Sequence, residues 1–173
     1  MTEPGGEDIS AGWSRDGRFI YFNSNRTGTW QLWKRPASGG ASTQVTTNGA
    51  GGGRATESPD GKFLYYRKSH SDTGVDGSLW RMSLKGGEET KILDQVFGSN
   101  FEVTRDGVYF VPSAHWLAIN YLDLKTGRVK TVFTFRRPAK WGLSLAPDNS
   151  SILFTIMVLP EAVSDLMLIE NFH

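Results

Sequence analysis

SRDGRFIYF at residues 14–22 and SPDGKFLYY at residues 58–66 are the same phrase written twice, a turn signal running straight into an apolar strand. Two looser copies follow, TRDGVYFV from Thr104 and APDNSSILF from Ala146. Their aspartates, Asp16, Asp60, Asp106 and Asp148, stand 44, 46 and 42 residues apart. An Asp-Gly or Asp-Asn pair supplies a position tolerant of positive φ, and the carboxylate accepts backbone N–H bonds two residues on, so all four are read as structural turn residues. A period of this size matches a four-stranded propeller blade, whose repeats run about 40 to 45 residues.

Working outward from each turn, the following strand (19–22, 63–66, 108–111, 152–156) is apolar on both faces, as a strand sandwiched between neighbouring sheets should be. A second aromatic-rich strand is expected at 30–34, 78–83, 119–123 and 165–170, and a third, more polar one at 43–46, 90–93 and 128–133. The segment Pro160-Glu161 and the apolar residues after it carry helix signals, but the repeat register makes Leu166 to Leu168 a strand. The fold class is therefore all-β: a β-propeller of four blades of antiparallel four-stranded sheets, approximately 8–48, 53–93, 98–134 and 140–173 of a single propeller domain, forming a partial ring. Residues 1–8 are polar and Gly-rich, which argues against a closing strand there. Four open-ended units leave blade faces bare, so the reading is a fragment of a larger ring, with a compact four-bladed ring or pairing of two chains as alternatives.

Composition narrows the function classes. The chain has 173 residues, a net charge of +1, no cysteine and 38% hydrophobic residues. This excludes disulfides, thiol catalysis and zinc fingers, and near-neutrality provides no field to attract a phosphate backbone. The longest apolar stretch, Ile152 to Leu159, is too short to span a bilayer, and the first residues do not read as a signal peptide. No nucleic acid and no membrane insertion are expected of this segment.

The chemistry-bearing motifs mostly dissolve on inspection. Gly142-Leu-Ser144-Leu-Ala146 nearly matches a nucleophile elbow, but a turn into another strand follows where the elbow needs a helix. The glycines at 49 and 51–53 lack the spacing of a phosphate loop. Asp72 to Gly77 lacks two of the ligands of a calcium loop, and His70, His115 and His173 have no metal-ligand spacing. Glu57 and Glu102 fall on innermost strands and would face a central channel, where propeller enzymes hold metals. Solvated channel carboxylates are the favoured reading, so no catalytic residue, metal site or cofactor is assigned. The basic run Arg128, Lys130, Arg136, Arg137 and Lys140 reads as a solvated face. Trp and Arg dominate binding hot spots, and a set of them falls in loops at one end of the blades. Arg26, Trp30, Arg54, His70, His115, Trp116, Arg136 and Trp141 are the candidate ligand-binding residues, with Arg26 equally suited to pinning a loop.

The units resemble the TolB-like β-propeller repeat, a relative of the WD repeat, in SRDGRFIYFNSNRTGTWQLW and SPDGKFLYYRKSHSDTGVDGSLWRM. The third unit lacks the basic residue after Asp106-Gly107, and in the fourth Asn149 replaces the glycine. The resemblance implies the carboxyl-terminal propeller of a larger bacterial protein, in a periplasmic or other extracytoplasmic compartment. Because the repeat explains nearly every aromatic and glycine position and no catalytic set survives, the chain reads as a non-catalytic binding or scaffold module whose partners are a protein or peptide, a cell-envelope ligand, or further blades of the same propeller; the resemblance implies that it is the sensory part of a regulator. The rival readings are a channel-metal hydrolase or lyase and the propeller of a peptidase separated from its catalytic domain.

Overall fold

The computed structural model describes residues 5–50, 53–70, 75–158 and 163–170. Every regular element among them is a β-strand, and the strands form four antiparallel sheets, one per sequence repeat. Blade 1 contains β1 (Asp8–Trp13), β2 (Phe19–Ser24), β3 (Gln31–Pro36) and β4 (Thr43–Gln44). Blade 2 contains β5 (Thr56–Glu57), β6 (Phe63–Ser69), β7 (Asp76–Ser83) and β8 (Thr90–Phe97). Blade 3 contains β9 (Phe101–Val103), β10 (Gly107–Phe110), β11 (Ala118–Asp123) and β12 (Val129–Thr134). Blade 4 has three strands among the described residues, β13 (Ala139–Leu145), β14 (Ser151–Val158) and β15 (Val163–Glu170), in keeping with a third polar strand expected in the first three units alone. The register reading of β15 as a strand holds, while the Pro160-Glu161 helix signal lies outside the described residues. Residues 8–13 form an inner strand, which takes in Asp8 from the stretch read as non-strand; of that stretch, residues 5–7 lie outside any strand and residues 1–4 lie outside the described residues.

Three of the four aspartate turns share one device. Ser14 Oγ donates to Asp16 Oδ1 at 2.7 Å, the Arg18 amide donates to the same oxygen, and Gly17 takes φ 69°. Ser58, Asp60, Lys62 and Gly61 (φ 67°) repeat it in blade 2. In blade 4 Ser150 supplies both donors to Asp148, and Asn149 takes the left-handed conformation at φ 61°. Blade 3 departs from the pattern. The Thr104 amide donates to the Gly107 carbonyl, so the hairpin is two residues shorter, and Thr104 Oγ1 rather than Asp106 caps the Gly107 amide. Gly107 is needed here for packing, because a Cβ would strike the Tyr121 ring. That shorter turn is what the missing basic residue after Asp106-Gly107 encodes.

The chain divides into two compact units, Met1–Asp94 and Gln95–His173. In the first, the core is Tyr21, Leu32, Ala50 and Ala55 against Leu64, Tyr66 and Met82, with Trp80 packed on it, so facing surfaces of blades 1 and 2 interdigitate. Polar struts cross the same seam: Asn23 Nδ2 donates to the Gly53 carbonyl at 2.6 Å, and Lys68 Nζ, ion-paired to Glu89, reaches the Asn48 carbonyl. In the second unit, Phe154 of blade 4 stacks on Phe135 at 4.6 Å and tilts against Phe133 of blade 3. Aromatic contacts of this kind carry about 1 kcal/mol beyond the area they bury.

Candidate functional site

The loop residues singled out by sequence fall into two groups, one in each unit. In the first unit Arg26 is turned inward. Its guanidinium holds both Asp8 oxygens at 3.0 Å, its Nε donates to Ser24 Oγ, and its plane lies over the Phe22 and Trp33 rings. A side chain so committed pins a loop, the second of the two roles the sequence allowed. Trp30 is half-buried at the start of β3, its carbonyl accepting the Ala50 amide. Arg54 is half-buried beside Gly53, and exposed His70 shares a hydrogen bond with Ser78 Oγ at 3.0 Å.

The second unit brings its members together. Trp116 and Trp141 both lie against Phe97, with ring centroids 4.5 Å and 5.2 Å from it, the Trp141 pair stacked at an interplanar angle of 24°. Phe97 is buried and Trp141 is 51% exposed, so the three rings form a ledge with one indole face open to solvent. Local backbone irregularity places that indole. β13 and β14 lose register between Ala139 and Leu143, and Trp141 sits in the irregular stretch, where a strand can re-aim a side chain. Gly98, at φ 54°, lies directly beneath the ring, and any Cβ there would collide with it.

Asn100 locks this arrangement. It is 1% exposed, its Nδ2 donates to the Lys140 carbonyl at 2.7 Å, and its Oδ1 accepts the Gly142 amide at 2.8 Å. One side-chain amide thus grips the backbone immediately before and after Trp141. Thr155 Oγ1 donates to the Trp141 carbonyl at 2.6 Å, and Trp116 Nε1 donates to the Ser113 carbonyl. The Ala139 amide donates to the Trp116 carbonyl and the Phe135 amide to the Leu117 carbonyl, tying the loop that carries exposed His115 to the link that carries exposed Arg136 and Arg137. Sequence reasoning found both tryptophans and missed Phe97, Gly98 and Asn100. The available signal was Gly98-Ser-Asn100 directly after a strand, which reads as an ordinary turn until the partner 40 residues away is known.

Among the described residues no group of three His, Asp or Glu side chains is poised to hold a metal. Glu57, one of the two carboxylates that the sequence suggested for a channel, accepts the Tyr21 hydroxyl at 2.8 Å and the Arg15 amide at 3.0 Å. Burial and then this carboxylate push the Tyr21 phenol well above its ordinary range. Ser144 lies in β13 opposite Leu153, with the Asp148 turn and β14 following it rather than a helix. Asp72 of the calcium-like stretch and His173 lie outside the described residues.

No family model matches the sequence. An uncharacterized protein of Agrobacterium fabrum is 29% identical over 103 residues, which cover 57% of this chain and 35% of that protein. Among solved structures, TolB from Acinetobacter baumannii aligns with a TM-score of 0.74 and 19% identity over 95% of this chain and 41% of its own. A putative TolB from Agrobacterium tumefaciens aligns with a TM-score of 0.76 and 17% identity, covering 99% and 64% respectively. The chain therefore spans less than two thirds of the length of each of these proteins. Similar folds also occur in a prolyl endopeptidase (TM-score 0.68, 13% identity, 97% of this chain and 27% of that one). An oligogalacturonate lyase in complex with manganese aligns at 0.64 with 16% identity, over 96% and 59%. At these identities the likeness speaks for architecture alone. Repeat, strand order and structural likeness agree: the four sheets of this chain are blades of the TolB-like β-propeller fold.

Proposed function

We propose that this chain is a non-catalytic propeller module that recognises an extended peptide segment of a partner protein on the Phe97–Trp116–Trp141 ledge. The carrying observation is Trp141, half-exposed yet held from both sides by the buried Asn100. An immobilised, open indole presents a large apolar contact at little entropic cost, which is the property of an interface anchor. Proline and aromatic side chains are the groups that stack best on it. Arg136 and Arg137, exposed on the adjoining link, favour acidic residues flanking that anchor. The resemblance to TolB-like proteins supports an extracytoplasmic bacterial compartment for the module.

Selection of a random peptide library on the folded chain tests this. Recovered peptides should carry a proline or aromatic residue and lose at least about 10-fold in affinity against Trp141→Ala, as loss of a central anchor does. Against Trp30→Ala their affinity should be unchanged. Peptides indifferent to Trp141→Ala would remove the reading. A second reading, the substrate-gating propeller of a peptidase, draws on the likeness to a prolyl endopeptidase. It requires an α/β-hydrolase segment encoded next to this one.

A further inference from the structure

The four blades share a register that allows the same position to be compared in each. Tyr21, Tyr65, Tyr109 and Leu153 occupy equivalent sites, paired to Lys34, Arg81, Tyr121 and Leu168 on the next strand. Two residues before those partners stand Leu32, Leu79, Ile119 and Leu166. The first three of these are 0% exposed, whereas Leu166 is 65% exposed. Tyr21 and Tyr65 are 4% and 1% exposed, against 36% for Leu153, and Leu168 beside it is 57% exposed. In blade 1 this face, Tyr21 and Leu32, is the one that packs on Leu64, Tyr66, Trp80 and Met82 of blade 2. Blade 4 has already used its opposite face, where Ile152, Phe154 and Ile169 are buried and Phe154 stacks on blade 3. On its remaining face Leu153, Leu166 and Leu168 form an exposed apolar strip, with Glu170 at one end.

What would fill it is defined by the blade 1–blade 2 seam. The receiving residues Leu64, Tyr66 and Trp80 correspond in blade 1 to Ile20, Phe22 and Trp33, on the face of blade 1 turned away from blade 2. Trp13, paired with Ile20 on that face, is 66% exposed. Even the cation over the ring recurs: Lys68 lies over Trp80 at 4.4 Å and Arg26 over Trp33 at 4.9 Å. We propose that Leu153, Leu166 and Leu168 of blade 4 dock the Trp13–Ile20–Trp33 face of blade 1 from a second copy of this chain, continuing the inter-blade packing across two molecules. The contact is head-to-tail, so each copy offers two different surfaces and a pair of copies closes through two equal seams.

Sedimentation velocity over a wide protein concentration range tests the proposal on the whole chain. The wild-type chain should show a monomer–dimer equilibrium, and Leu166→Asp should raise the dimer dissociation constant about 100-fold, a desolvated apolar contact having become a buried charge. Trp13→Asp should do the same from the other surface. Far-UV circular dichroism and a cooperative melt identical to wild type would show that both exposed positions leave the fold intact. Mixing the two variants should restore a heterodimer through the one intact pair of faces, which a blade 4-to-blade 4 contact would not do. A wild-type chain that stays monomeric at every concentration overturns the proposal without any variant, and so does a dimer indifferent to Trp13→Asp.

Discussion

Asp16 carries its turn by charge. The Arg18 amide, Ser14 hydroxyl and Arg18 side chain hold its carboxyl down to about 2 from an ordinary 3.8, and Asp60 and Asp148 are lowered by the same kind of bonds. A carboxyl lowered in the folded chain stabilises fully above its unfolded value, and that contribution disappears as pH falls through the folded one. Thermal melts should therefore lose stability between about pH 4 and pH 2, and Asp60→Asn should flatten part of that dependence while lowering the melting temperature at pH 7. Asn100 acts through geometry instead. Asn100→Ala leaves the part-buried Lys140 carbonyl and Gly142 amide without their partner and should cost about 1 kcal/mol in denaturant unfolding. Trp141 fluorescence in that variant should shift toward a more mobile, solvated indole. Gly98→Ala should produce the same optical change from below, because its Cβ enters the ring's place. The two kinds of residue differ in legibility: Asp16 bonds within four residues of itself, so its role is written in SRDG, while Asn100 acts on a strand 40 residues away.

At the scale of strands and blades, the period located every sheet because each blade is built from its own contiguous stretch of chain. Its failures have local causes. Blade 3 was aligned on Asp106-Gly107, yet the two-residue turn there passes the capping role to Thr104 and moves Gly107 into the strand. The bulge that aims Trp141 left no mark, since Gly142 at φ 116° also fits a plain turn or a nucleophile elbow. Apolarity on both faces of the strand after each turn was legible, and it identified those strands as sandwiched; which blade lacked a neighbour was not, because Leu32 and Leu166, on the strands that follow them, look alike in sequence. Their burial gives the test. Leu32→Ala empties a fully buried site in the blade 1–blade 2 core and should cost about 3 kcal/mol, measured by urea denaturation. Leu166→Ala, made at low protein concentration where the chain is monomeric, should change stability by less than about 0.5 kcal/mol.

For the molecule as a whole the open question is whether any part of it does chemistry, since lyase and peptidase propellers share its architecture. Glu57 decides how the channel-metal reading should be tested. A divalent cation there would share the two Glu57 oxygens with the Tyr21 hydroxyl and the Arg15 amide, two bonds that join blade 1 to the inner strand of blade 2. A metal at Glu57 therefore competes with the seam that Tyr21 helps to seal, because drawing the carboxylate away would leave a buried tyrosine without its acceptor. Titration calorimetry with calcium, manganese and zinc is expected to give no stoichiometric heat at neutral pH. Tyr21→Phe, which frees one carboxylate oxygen, should lower stability by about 1 kcal/mol and still create no tight site, since one carboxylate supplies too few of the oxygens that calcium needs. One-to-one binding that disappears in Glu57→Ala would instead make Glu57 a ligand and return the protein to the enzyme class.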